Sequence, residues 1–117
     1  AHTGGISQLL KIAMISEAYF APIAPHSVTT DLGMSANLHV SGSVPLFLIQ
    51  EYYPSITPKD LIRKSWDVDK DGYASLPTTP GLGCEINEAR LDEISRTPAK
   101  PEWPTRGRLK DGSISDY

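Results

Sequence analysis

Cysteine, one-sided charge and long apolar runs are what this 117-residue sequence has little of. Its one cysteine, Cys84, cannot form an internal bridge, so no disulfide framework holds the chain and nothing in cysteine usage points to secretion. Eleven Lys and Arg against fourteen Asp and Glu leave a formal charge of −3, with a pI near 5.5. Such a weakly acidic, mixed surface argues against nucleic acid or an anionic membrane as a main partner. No apolar run approaches the roughly 20 residues needed to cross a bilayer. No basic stretch followed by an apolar one marks a signal peptide. The expectation is a cytoplasmic α/β piece of 12.8 kDa, one domain or part of something larger.

What is present divides the chain in two. The first half is apolar and periodic; the second is polar, and eight of the ten prolines lie from Pro45 onward. Pro98, Pro101 and Pro104 predict an extended, PPII-like path. Gly4-Gly5 is a turn signal, and Ser7 is placed to cap a helix from Gln8 to about Tyr19, with Leu9, Ile12, Ala13 and Ser16 on one face. Phe20 to His26 is a short apolar run that reads as a strand, although Pro22 and Pro25 count against a central one. Asp31 to Ser41 reads as a second helix, whose small residues Gly33, Ser35, Ala36 and Ser41 allow close packing. Leu46–Ile49 is apolar without alternation, the pattern of a strand buried on both faces of a parallel sheet. Further on, Pro58 to Lys64 reads as a short helix capped at Thr57, Asp71-Gly72 and Asp111-Gly112 as turns, and Asn87 as the cap of a helix to about Ile94.

Both apolar runs stop at an ionisable group, His26 after the first and Glu51 after the second. In a parallel α/β barrel the catalytic groups lie at the C-terminal ends of strands, where the loops leave the packed interior. The offset of 25 residues from 26 to 51 suits one intervening loop, helix and strand, which would bring the two to the same rim. The competing structural reading has His26 bonded to a backbone carbonyl and Glu51 solvated.

His2-Thr3-Gly4-Gly5-Ile6-Ser7, Ala24-Pro25-His26, Gly33-Met34-Ser35-Ala36-Asn37-Leu38-His39 and Ile49-Gln50-Glu51 together resemble the mandelate racemase branch of the enolase superfamily. Within it they resemble the acid-sugar dehydratases of the galactonate and mannonate type. Asp71-Gly72-Tyr73 and Pro80-Gly81-Leu82-Gly83 are similar to the tail of the same enzymes. The resemblance implies a C-terminal fragment of a modified (β/α) TIM-type barrel: about strands seven and eight with their helices in residues 1–53, and a tail in 54–117 packing on the barrel or its capping domain. It implies an essential Mg²⁺ held by carboxylates on earlier strands, none of them in this chain, and an aspartate upstream of Ala1 that pairs with the strand-seven histidine. It implies an acid-sugar substrate, the remainder of the barrel as a partner, and a homo-oligomer. The implied reaction removes a proton α to a carboxylate, with Mg²⁺ supplying positive charge to the enediolate, and then eliminates the β-hydroxyl. Carried over by position, His26 is the general base or acid and Glu51 contacts the substrate or its enediolate. Racemases and epimerases use the same scaffold with a second base across the substrate. His2 and Thr3 are rim candidates without an assigned role.

A rival from another class starts at Asp67-Val68-Asp69-Lys70-Asp71-Gly72, which matches the first half of an EF-hand loop and would make the chain a small calcium- or protein-binding module. Position twelve of that loop, where calcium needs a bidentate glutamate, is Thr78, so a solvated hairpin turn is the expectation. His39 reads as structural, Cys84 as an inert thiol, and Trp66 and Trp103 as packing anchors for the tail.

Overall fold

A computed structural model describes residues 3–54 and 57–97. His2, the Pro98 to Pro104 stretch, Trp103 and Asp111-Gly112 lie outside the described residues. The described chain is mixed α/β, in the order α1 (Ile6–Ala18), α2 (Asp31–Ser41), β1 (Ile62–Lys64), β2 (Cys84–Ile86) and α3 (Glu88–Arg96).

Helix α1 starts two residues before the expected position. Gly5, at φ 94°, is its N-cap and no side chain caps it, so Ser7 lies inside the helix instead of at its mouth. Its C-terminus closes with the Ala21 N–H on the Ser16 carbonyl and the Phe20 N–H on the Glu17 carbonyl, the paired bonds of a Schellman motif. Phe20 takes the left-handed position (φ 56°) that such an end normally gives to glycine. Only Ala13 of α1 is buried.

Helix α2 occupies the expected span and carries most of the burial. Met34, Leu38 and Val40 are buried together with the small polar residues Ser35 and Ser41. Trp66 slides beneath it, 2 % exposed, packing on Met34 and Leu38 while its indole N–H donates to Ser35 Oγ at 2.7 Å. A small hydroxyl at position 35 both admits the indole and satisfies its donor, as a buried tryptophan requires. Trp66 thus anchors the tail by packing, as its sequence setting suggests.

Between the helices, Ile23 and Phe47 form a single parallel bridge: the Ile23 N–H donates to Leu46 O and the Leu48 N–H to Ile23 O, each at 2.9 Å. The two segments are parallel with α2 between them in sequence. Leu46–Ile49, however, is not buried on both faces, because Leu48 is 67 % and Ile49 63 % exposed. Apolarity without alternation marks residues that need cover on two sides, and the described residues supply it on one.

The expected helix from Pro58 to Lys64 is instead a turn followed by a strand. The Leu61 N–H closes on Pro58 O, Asp60 sits at φ 61°, and β1 then pairs antiparallel with β2 (Ile62 with Ile86, Arg63 with Glu85, Lys64 with Cys84). A partner more than twenty residues away decides the conformation against a local signal. Thr57 does cap a helix, though not its own neighbour: its Oγ1 accepts the Asp31 N–H of α2 at 2.7 Å. Gly83 precedes β2 at φ 71°, where any Cβ would collide with Pro77, and its carbonyl accepts both the N–H and the hydroxyl of Ser65. Asn87 caps α3 as expected, its side-chain oxygen accepting the Arg90 N–H at 3.2 Å.

Candidate active site

The residues after the parallel bridge come together. From Ile23 to Val28 burial alternates, with Ile23, Pro25 and Ser27 inward and Ala24, His26 and Val28 outward. His26 therefore stands on the face away from α2, where Ser27, on the opposite face, is buried and touches Met34 Sδ. His26 Nδ1 lies 2.7 Å from Glu51 Oε2, and the Ser27 N–H donates to the same oxygen at 2.7 Å. The two side chains are 61 % and 44 % exposed. A pair this open to water contributes little to stability. Its geometric consequence is larger: the contact from Nδ1 to a carboxylate that also accepts the Ser27 N–H orients the imidazole ring.

Gln50 lies beside this pair. Its Nε2 donates to Pro25 O at 3.1 Å and to Glu51 O at 2.9 Å, and its Oε1 accepts the Ser41 hydroxyl at 3.0 Å. On the other side, Tyr52 turns toward the tail. Its hydroxyl donates to Asp31 Oδ1 and accepts from Lys64 Nζ at 3.0 Å. The Lys64 ammonium sits 4.2 Å from the centroid of the Trp66 ring, and Tyr52 meets Trp66 edge-on. Glu51 is thus held between a residue tied to the first segment and one tied to the tail. Sequence reasoning placed His26 and Glu51 on one rim and named neither Gln50 nor Tyr52 for a role. A proline opposite a glutamine across two parallel segments is the signal that points to Gln50.

Other candidates stand apart. Asp69 Oδ1 accepts the N–H groups of Asp71 and Tyr73, Asp67 Oδ1 accepts that of Val68, and the Asp69 N–H closes on Tyr73 O, so the aspartate run forms a hairpin turn. Among the described residues no three His, Cys, Asp or Glu side chains gather where they could hold a metal ion. His39 is in α2, its Nε2 buried without a hydrogen bond. Cys84 is a half-buried free thiol in β2. Thr3 is exposed before α1 and joins none of the bonds around His26. A cavity of about 700 Å³ lies between Asp60, Arg63, Glu85 and Asn87, away from His26 and Glu51. No helix among the described residues is long and apolar enough to cross a membrane.

Residues 1–90 match the enolase C-terminal domain-like family. The chain belongs to that family. Within the enolase superfamily it groups with the mandelate racemase subgroup. It is 35 % identical over 120 residues to a D-galactonate dehydratase family member of Streptomyces bingchenggensis, covering 99 % of this chain and 28 % of that protein. It is 34 % identical over 125 residues to a D-galactonate dehydratase of Ralstonia nicotianae, covering the whole chain and 32 % of that protein. Among solved structures, an enolase from Pantoea ananatis with bound D-gluconate and Mg superposes with a TM-score of 0.72 at 35 % identity, over 96 % of this chain and 27 % of that one. The chain spans about a third or less of the length of the relatives it matches.

Proposed function

We propose that this chain is the strand-seven and strand-eight part of a (β/α) barrel, residues 1–53, followed by a tail in 54–117. The whole enzyme is then a Mg²⁺-dependent acid-sugar dehydratase, cytoplasmic and homo-oligomeric. The observation that carries the reading is the 2.7 Å contact between His26 Nδ1 and Glu51 Oε2 just past the parallel bridge. Dehydratases among the relatives favour this over the racemase or epimerase reading. The Asp67–Asp71 turn spends the Asp67 and Asp69 carboxylates on its own backbone, which disfavours the calcium-module alternative.

In this reading His26 moves the proton: its imidazole takes the proton α to the substrate carboxylate, or delivers one to the departing β-hydroxyl. Glu51 holds the imidazole by Nδ1 and stands beside the reacting carbons, where it contacts the substrate or its enediolate. Mg²⁺ does not fit the described residues, among which no three His, Cys, Asp or Glu side chains gather, and no step in this chain runs through it.

The test is His26→Asn in the whole enzyme, assayed on galactonate, gluconate and mannonate. Asparagine keeps one hydrogen bond but exchanges no proton near neutral pH. Turnover should fall by about 10²–10⁴-fold with KM changed little, and Glu51→Gln should lose less. Near-normal turnover in the His26 variant would make His26 a structural group and overturn the proposal.

A further inference from the structure

The parallel ladder between the two segments stops after one bridge, and the residue that stops it is Pro25. Continuing the pattern of Ile23 and Phe47 by one step would set the Pro25 nitrogen against Leu48 O and the Gln50 backbone N–H against Pro25 O. Proline has no N–H, so the first of these bonds cannot form. The Pro25 carbonyl is instead taken by the Gln50 side chain, Nε2 to O at 3.1 Å. One step further, Ser27 N–H would seek a backbone acceptor on the second segment; it finds Glu51 Oε2 at 2.7 Å. Two successive rungs of the ladder are therefore made by side chains, and the second is the carboxylate that grips His26.

We infer that Gln50 is a positioning residue for the His26–Glu51 pair. Its carboxamide takes the Pro25 carbonyl in place of its own backbone N–H, at the step where proline leaves no N–H for Leu48 O, and so sets the separation of the two segments where Glu51 must bridge from Ser27 to His26. Three partners fix the amide: Ser41 Oγ donates to its oxygen while its nitrogen donates to Pro25 O and Glu51 O. The amide has one orientation that serves all three, because the hydroxyl fills the acceptor end and the two carbonyls fill the donor end. The last turn of α2, which ends at Ser41, is thereby linked to the site. This role rests on the reading of His26 as the proton carrier only for its effect on turnover; the geometric claim stands independently of it.

The experiment uses Gln50→Glu in the whole protein that carries this segment. Glutamate matches the size and can still accept from Ser41, but it has no donor for Pro25 O. Two readouts are taken: the His26 Nδ1–H resonance by ¹⁵N-histidine NMR, assigned with His26→Asn, and steady-state kinetics on an acid sugar. The expected result is loss or a clear shift of the Nδ1–H resonance, with kcat reduced roughly tenfold to a hundredfold and KM within threefold. That is the scale of loss when the support of a catalytic group is removed. A role confined to stability would lower the melting temperature and leave both readouts in place, which would overturn the inference, as would an unchanged resonance alone. A shifted resonance with unchanged kcat would uphold the positioning role and overturn His26 as the proton carrier. If Gln50→Glu does not fold, Ser41→Ala carries the test: the resonance should move the same way by less, and an unmoved resonance overturns the inference.

Discussion

The tail side of α2 and the rim side of the molecule are built on opposite terms. Under α2, Met34, Leu38 and Trp66 bury one another, with Tyr52, Val68 and Ala74 at the margin, so this small core is closed by residues of the chain itself. At the rim, the parallel pair amounts to one bridge, and Leu48, Ile49, Met14 and Phe20 are left exposed. The half that holds His26 and Glu51 leaves more of its large apolar side chains exposed than the described tail does. Polar bonds from Gln50, Ser27 and Tyr52 hold the rim where packing does not. A site can thus be locally ordered by hydrogen bonds while the hydrophobic stabilisation of its strands comes from elsewhere in a barrel.

The largest way to break this contrast is at Trp66. Trp66→Ala removes the indole from beneath α2 and strands Ser35 Oγ in a buried setting; stability should fall by about 3–5 kcal/mol in chemical denaturation. A loss below about 1 kcal/mol would mean that the tail is not anchored there. Ile49→Ala sharpens the contrast because its effect should depend on context. In the 117-residue chain alone the exposed side chain should matter by less than about 1 kcal/mol. Within a complete barrel, where neighbouring strands cover it, the same change should cost about 2–5 kcal/mol. Equal effects in both settings would remove the account of its exposure. Thr57→Ala, which takes the hydroxyl from the Asp31 N–H, should cost about 1 kcal/mol, the ordinary value of a helix cap.

Legibility in the sequence followed the range of the interactions. Helix α2 was readable to the residue, since its small residues and apolar positions are local, and the Asn87 cap of α3 is local too. The meeting of His26 and Glu51 was readable because each closes an apolar run. Strands β1 and β2 were not: three residues each, one following Pro58, they exist through a pairing across more than twenty residues. Thr57 carried a true capping signal whose helix lies 26 residues upstream. The apolar run Leu46–Ile49 predicted two-sided burial, which depends on strands that the described residues do not include. Gln50 carries no local signal, because its partners, Pro25 O and Ser41 Oγ, belong to two other segments.

In the proposed reaction His26 and Glu51 work as a unit through the 2.7 Å contact. A double-mutant cycle on turnover in the whole enzyme, with His26→Asn, Glu51→Gln and both together, measures this directly. The double variant should be slower than His26→Asn by clearly less than Glu51→Gln slows the unaltered enzyme, since the part of the Glu51 effect that runs through the imidazole is already lost while its substrate contact remains. Losses that multiply, each substitution acting in full on top of the other, would contradict the account and make His26 and Glu51 independent groups.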